Sequence, residues 1–202
     1  MPIQKRLALL EWIQNRDGLI IEDDYDSELR YFGRPIPSMQ GLDGGHSVVY
    51  VGSFSKLLLP ALRISYMVLP PKLMPVLQQK IAFYNQTASL VEQLTVAHFM
   101  ADGQLHKQIR KTRKIYARKN QLLLEQLQQV MGDKIRILGK ETGLHVLLEV
   151  LTDQDSQTLT RLAASIGISV TPLSDYTYES QASSAYPLVI MGYGGIHLEQ
   201  IA

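Results

Sequence analysis

The chain contains no cysteine, a single tryptophan and almost no excess charge: 20 Lys and Arg against 19 Asp and Glu leave +1 over 202 residues. Without cysteine there is no disulfide, no thiolate nucleophile and no cysteine-held metal, which fits a reducing compartment. Near-neutrality removes any global pull toward nucleic acid, an anionic membrane or an acidic ligand. Long apolar runs are missing too. The most apolar stretch, "VVYVGSFSKLLLPALRISYMVLP" from Val48 to Pro70, is cut by Lys56, Pro60 and Arg63 and is too short on either side to span a bilayer. The opening "MPIQKRLALLEWIQNRDG" carries charges throughout, an amphipathic helix pattern and not a secretory signal. These exclusions point to a cytoplasmic protein with no membrane role.

What remains is a chain that is 46% hydrophobic, enough for a real core. Pro2 to Arg16 predicts a helix, with Ile3, Leu7, Leu10 and Ile13 on one face and Gly18 past its end. Leu19 to Tyr25, Val48 to Ser53 and Arg63 to Pro70 predict strands, apolar enough for a sheet covered on both faces. The Gly- and Pro-rich stretch from Arg30 to Ser47 predicts a loop. Lys72 to about Gly103 is helical in pattern, and Leu105 to Val130 predicts one long helix. Beyond it "IRILGK" and "GLHVLLEVL" predict strands, "DSQTLTRLAASIG" a helix stopped by Gly167, and "ISVTPL" and "PLVIMGY" two further strands. The fold class is therefore α/β, with a larger first part over 1–103 and a connector helix plus smaller subdomain over 104–202. No strand precedes the first helix, and "GYGGIHLEQIA" stops within the first turn of a new one. The chain thus reads as part of a longer protein, whose isolated fragment would expose sheet edges and dissolve poorly.

Ligands of open α/β sheets gather beyond the carboxyl ends of the strands. Two polar clusters fall there: Glu22-Asp23-Asp24-Tyr25 and Ser53-Phe54-Ser55-Lys56. Asp23 and Tyr25, two apart on an extended chain, face the same side. Taken singly, each cluster is an ordinary loop feature. Together they place an acid, a phenol and a lysine at neighbouring strand ends, the set that pyridoxal phosphate requires. A lysine amine bonds its aldehyde, a carboxylate holds the pyridine nitrogen protonated, and a phenol reaches the ring oxygen. Ser53, Ser55 and Arg63 would offer hydroxyls and a planar cation to the phosphate.

"IIEDDYDSELRY", "VVYVGSFSKLLLPALRISYMVLP" and "LHKQIRKTRKIYARKNQLLLEQL" resemble the aminotransferase-like domain of the MocR family. These are bacterial regulators in which a GntR-type winged helix precedes a fold-type-I, pyridoxal-phosphate-dependent transferase domain. The resemblance covers nearly the whole chain and implies a partial large domain followed by a smaller C-terminal subdomain. It implies Lys56 as the cofactor-bonding and catalytic lysine, Asp23 as partner of the pyridine nitrogen, and Tyr25 as partner of the ring oxygen. Ser53, Ser55 and Arg63 become phosphate ligands, and Asp24 stands as the rival to Asp23. A homodimer, a small amine or amino-acid effector, and DNA contact only through a winged helix outside this chain follow from the same likeness.

Several departures qualify the likeness. The family's "PGLRIGY" reads "PALRISY" here, with Ala61 and Ser65 in place of glycines. The glycine-rich phosphate turn and the aromatic that stacks on the ring would both lie upstream of Met1. No Lys or Arg follows Arg161, so the arginine that holds a substrate carboxylate in related aminotransferases has no counterpart in "YPLVIMGYGG". The expected function is thus the effector-sensing domain of a MocR-like regulator. An aminotransferase acting on an amino acid is the alternative, and a non-binding remnant that only dimerises the third reading. Lys107, Arg110, Lys111, Arg113, Lys114, Arg118 and Lys119 make the long helix basic, a pattern more often a solvated face than a DNA contact. His98 and His106 lack carboxylates at metal-ligand spacing. Tyr176, Tyr178 and Tyr186 lie in a Ser-rich loop, and the sequence leaves open whether they are surface aromatics or part of a ligand lid.

Overall fold

Helix α1 (Ile3–Gln14) buries Leu10 and Ile13, two of the four residues on the predicted apolar face, and leads into strand β1 (Ile20–Asp24). The computed structural model describes residues 1–31, 36–81, 83–140, 143–177 and 184–201. Within the expected loop of 30–47 a five-residue helix, α2 (Met39–Asp43), is present instead. Its ends explain it. The Ser38 hydroxyl accepts the Gly41 N–H at 3.1 Å, and Gly44 closes the helix at φ 65°. A third support is invisible to any local window: the buried Glu22 carboxylate on β1 accepts the N–H groups of Met39 (3.0 Å) and Gln40 (3.1 Å).

Strand β2 (Val48–Ser53) pairs parallel with β1, and β3 (Ser65–Val68) pairs antiparallel with β2, giving the order β1-β2-β3. A parallel pair needs a crossover connection, which the 25–47 segment supplies. On one face Leu10, Met39 and Val48 form a small core with Leu9, Ile20 and Leu42 against it. On the other face the expected cover is lacking among the described residues, with Ile21 73% and Met67 60% exposed. The predicted helical run of 72–103 is two helices, α3 (Met74–Ile81) and α4 (Leu90–Ala101). Between them the Gln86 side chain takes the Ala88 N–H at 3.2 Å, and Gln93 caps the Ala88 carbonyl at 2.9 Å. Polar side chains thus satisfy backbone groups that a continuous helix would have used.

Helix α5 (Gln104–Met131) is followed by β4 (Ile135–Leu138), β5 (His145–Val150), α6 (Ser156–Ser165), β6 (Thr171–Pro172) and β7 (Leu188–Gly192). These four strands form a wholly antiparallel sheet in the order β4-β5-β7-β6. Asp155 caps α6 by accepting the Thr158 N–H at 2.7 Å, and Gly167 beyond its end takes φ 80°. The strand expected over 168–173 shrinks to two residues, because Pro172 has no N–H to extend the ladder. Leu123 from α5 packs with Ile135, Val146, Leu148, Val189 and Tyr193 as one buried cluster.

By contacts the chain divides into two units, Met1–Glu28 with Arg34–Arg110, and Leu29–Gly33 with Lys111–Ala202. Leu29, fully buried, and Tyr31 belong to the second. The Gly143 N–H donates to the Leu29 carbonyl (3.2 Å), and the Gly143 carbonyl accepts hydroxyl protons from Tyr31 (2.6 Å) and the buried Tyr193 (2.8 Å). Among the described residues no helix is long and apolar enough to cross a membrane.

Candidate functional site

Strand alternation sorts β1 into two sides. Glu22, with Ile20 and Asp24, faces α1 and α2, where Arg6 pairs with it at 2.8 Å. Ile21, Asp23 and then Tyr25 face the open side. The parallel register sets Asp23 beside Val51 and the antiparallel one sets Val51 beside Met67, so these three form a row on that open face. Ser53, two residues beyond Val51 and paired with Ser65, continues the same face toward the strand ends.

After Ser53 the chain folds into a turn. The Ser53 hydroxyl accepts the Ser55 N–H at 3.2 Å, and Leu58 N–H donates to the Phe54 carbonyl at 2.9 Å. A hydroxyl that bonds its own backbone two residues on is a standard turn device. The turn carries Lys56, and the Lys56 ammonium lies 4.0 Å from the centroid of the Tyr25 ring. Cation and phenol are therefore brought together from two strand ends. The charge of Asp26, then partial burial, then the charge of Asp23 push the Tyr25 phenol above its ordinary pKa. Asp23 is thus near enough for its charge to reach Tyr25.

The two candidate acids differ in what holds them. Asp24 accepts the Tyr50 hydroxyl at 2.8 Å through one oxygen and the Ser27 N–H at 3.1 Å through the other. Asp23 is exposed on the open face, and no hydrogen bond fixes its carboxylate among the described residues. The geometry thus leaves Asp23, and not Asp24, available to a ligand beside Tyr25.

Arg63 follows the 3-10 turn Pro60–Leu62 with φ 49°, one of two non-glycine residues at positive φ among those described. Its side chain is exposed, and the neighbouring Ile64 carbonyl receives the Phe54 N–H at 3.1 Å, so Arg63 leads into β3 close in the fold to the turn that follows Ser53. An arginine in the left-handed region is strained by roughly 1 kcal/mol, and such strain gathers at ligand clamps. Ala61 and Ser65, which replace the glycines of the resemblance, are both solvent-exposed.

The residue pattern of aminotransferase class I and II matches this chain over residues 8–184. The chain belongs to the aminotransferase class I and II family. Among curated proteins, this family member is 41% identical to the uncharacterized HTH-type transcriptional regulator YhdI of Bacillus subtilis, across 100% of the chain and 42% of the relative. It is 33% identical to the probable rhizopine catabolism regulatory protein MocR of Rhizobium meliloti, across 97% of the chain and 39% of the relative. Among solved structures, the kynurenine aminotransferase of Pyrococcus horikoshii superposes with a TM-score of 0.84 at 26% identity, covering 100% of this chain and 49% of that one. The chain thus spans about two fifths of the length of these curated relatives, and its fold is a part of the fold-type-I aminotransferase fold.

Several features of this candidate site escape sequence reading. Glu22 looks like the first of four strand-end acids and phenols, yet it is buried and organises α2. The hint was its place two residues after Ile20, where strand alternation sets both side chains on the same face. Tyr50 and Tyr66, read as strand filling, form a tilted aromatic pair 6.2 Å apart behind the site. Tyr66 also covers Gly52, where an added Cβ would stand 2.5 Å from its ring. Tyr178 lies outside the described residues, while Tyr176 is 68% and Tyr186 37% exposed.

Proposed function

We propose that the chain is the effector-sensing part of a MocR-like bacterial transcriptional regulator and holds pyridoxal phosphate through Lys56. The observation that carries this reading is the Lys56 ammonium 4.0 Å from the Tyr25 ring centroid, with Asp23 on the same open face of β1. The residues present fit the group. A free carboxylate, a phenol, an amine, two serine hydroxyls and an arginine held in a strained backbone are the donor set its ring and phosphate call for.

Bound there, pyridoxal phosphate would supply an aldehyde that bonds amines covalently and a ring that draws in electrons. The chain's own residues do the rest. Lys56 contributes the amine and must give up its ammonium proton to use it. Asp23 keeps a proton on the ring nitrogen by setting a negative charge beside it. Tyr25, whose proton is held more firmly than usual, donates a hydrogen bond toward the ring oxygen. Ser53, Ser55 and Arg63 hold the phosphate with hydroxyls and a permanent cation.

Two comparisons support a regulator. YhdI and MocR carry regulatory names and align with 100% and 97% of this chain, and between Arg161 and Ala202 no Lys or Arg stands to hold a substrate carboxylate. An amino acid or amine would then act as effector, shifting the population of two conformations and not being turned over. The second reading, an aminotransferase, draws on the Pyrococcus horikoshii kynurenine aminotransferase, which was solved with PMP. A homodimer in the cytoplasm completes the proposal, with DNA bound by a winged-helix domain outside this chain.

The test uses the full natural protein, its visible absorbance with pyridoxal phosphate, and the mass of the borohydride-reduced adduct. Wild type should gain the band and the added mass, and Lys56→Ala should lose both. An adduct of equal yield in Lys56→Ala removes Lys56 from its role. Keto-acid release on adding amino acids would replace the sensor with the aminotransferase.

A further inference from the structure

Behind the open face, on the other side of β1, runs a continuous set of contacts. Asp24 sits between Asp23 and Tyr25 in the chain. Its carboxylate receives the Tyr50 hydroxyl from β2 at 2.8 Å and the Ser27 N–H of the following turn at 3.1 Å. Asp24 is in register with Gly52, and Gly52 with Tyr66 across the next ladder. The Tyr66 ring lies over Gly52, 5.2 Å from Phe54 and 6.2 Å from Tyr50. Each member thus blocks the movement of the next, and the last member on the β1 side is the backbone flanking Tyr25.

We propose that Asp24 and Tyr50 are a positioning pair: they pin the β1 end and the turn after it so that Tyr25 is presented on the opposite face under Lys56. Neighbouring residues of a strand point to opposite sides, so fixing the Asp24 side chain to β2 fixes the direction in which Tyr25 leaves. Holding Ser27 from the same carboxylate fixes the backbone on the far side of Tyr25. A site group held by such support keeps its geometry, and one left unsupported is displaced by about 1 Å, with large loss of function. Burial, and then the hydrogen bond to Asp24, push the Tyr50 phenol upward, so it stays a donor across the working pH range. This inference rests on the cofactor reading for its functional weight, but its mechanical part does not.

Two readouts separate them, both on the full natural protein. The first is amide hydrogen exchange at Ser27, which needs no cofactor. Tyr50→Phe and Asp24→Ala should speed it about tenfold, while Asp24→Asn, which still offers an acceptor oxygen, should largely restore protection. The second is the affinity for pyridoxal phosphate, read from the visible band and from the reduced adduct's mass. Tyr50→Phe and Asp24→Ala should weaken it about tenfold, and Asp24→Asn much less. Ile13→Val, a buried change elsewhere in the same unit, is the control for lost stability. If Ile13→Val weakens pyridoxal phosphate as much as Tyr50→Phe does, the pair is ordinary scaffolding and the proposal falls. If Ser27 exchange is unchanged in Tyr50→Phe, the pinning itself is refuted. A wild-type protein that takes up no pyridoxal phosphate overturns the cofactor reading instead. Exchange at Ser27 then decides the mechanical part alone, faster exchange upholding it and unchanged exchange ending it.

Discussion

The three-stranded and four-stranded sheets use their apolar residues in opposite ways. The four-stranded sheet packs one face into a buried core: Val146, Leu148 and Val189 interlock with Leu123 and Ile135, and hydrogen bonds reach into the middle through Asn120, Tyr193 and Gly143. The three-stranded sheet fills one face only, around Leu10, Met39 and Val48, and leaves Ile21 and Met67 exposed on the other. The candidate site lies on the unfilled sheet. A packed face can hold a shape, but it has no room for a ligand. The sheet with space on it is accordingly steadied from behind, by Glu22, Asp24, Tyr50 and Tyr66.

Substitutions can break this contrast, beginning with the most damaging. Leu148→Ala, at 3% exposure, should destabilise the protein by about 3 kcal/mol in urea unfolding followed by circular dichroism. Trp12, the lone tryptophan, reports on the first unit by fluorescence. If its midpoint moves in step with circular dichroism, the two sheets melt together and the contrast loses its meaning. Glu22→Ala should cost about 2 kcal/mol, because it orphans the N–H groups of Met39 and Gln40 and removes the ion pair with Arg6. Its loss should appear first in Trp12 fluorescence. Tyr193→Phe should cost about 1 to 2 kcal/mol by removing the acceptor of Asn120 and a donor to Gly143. Met67→Ala, on the open face, should change stability by less than about 0.5 kcal/mol, and a cost like that of Leu148→Ala would mean that the face is covered.

Acid should weaken both sheets by the same physics. Burial raises the Asp43 carboxyl, but hydrogen bonds from Ser47, Gln14 and Val48 outweigh it and leave Asp43 below the usual range. The Ser184 hydroxyl, then the Arg136 guanidinium, hold Glu149 low as well. A carboxyl depressed by folding contributes stability above its unfolded pKa and loses that contribution as pH falls through the folded one. Thermal midpoints should therefore be level from pH 7 to about 5 and fall steadily below about pH 4. Asp43→Asn should flatten part of that fall, and an unaltered acid limb would separate Asp43 from it.

Much of this arrangement was legible in the sequence, and the misses share a cause. Strand β2 was predicted over Val48–Ser53 as it stands, because its apolar run is bounded by turn residues on both sides. Helix α6 announced itself through Asp155 and Gly167, and α5 through its uninterrupted period. The approach of Lys56 to Tyr25 follows from their positions at neighbouring strand ends. What failed was whatever depends on partners distant in sequence. Helix α2 exists partly because Glu22, 17 residues earlier, supplies its N-terminus. Asp24 and Tyr50, 26 residues apart, meet only through the parallel register. Periodicity sees neither, since both arise from the way strands line up and not from any local run of residues.

The backbone at Arg63, φ 49°, has one more consequence. An L-residue is penalised there by about 1 kcal/mol, whereas glycine escapes that penalty but frees the unfolded chain by a similar amount. The two effects nearly cancel, so folding is almost indifferent to which of the two stands at position 63. Arg63→Gly thus subtracts one guanidinium while leaving the thermal midpoint close to where it was. Position 63 offers a blank in the sense of an analytical control, where recognition of an anion can be read without interference from the fold.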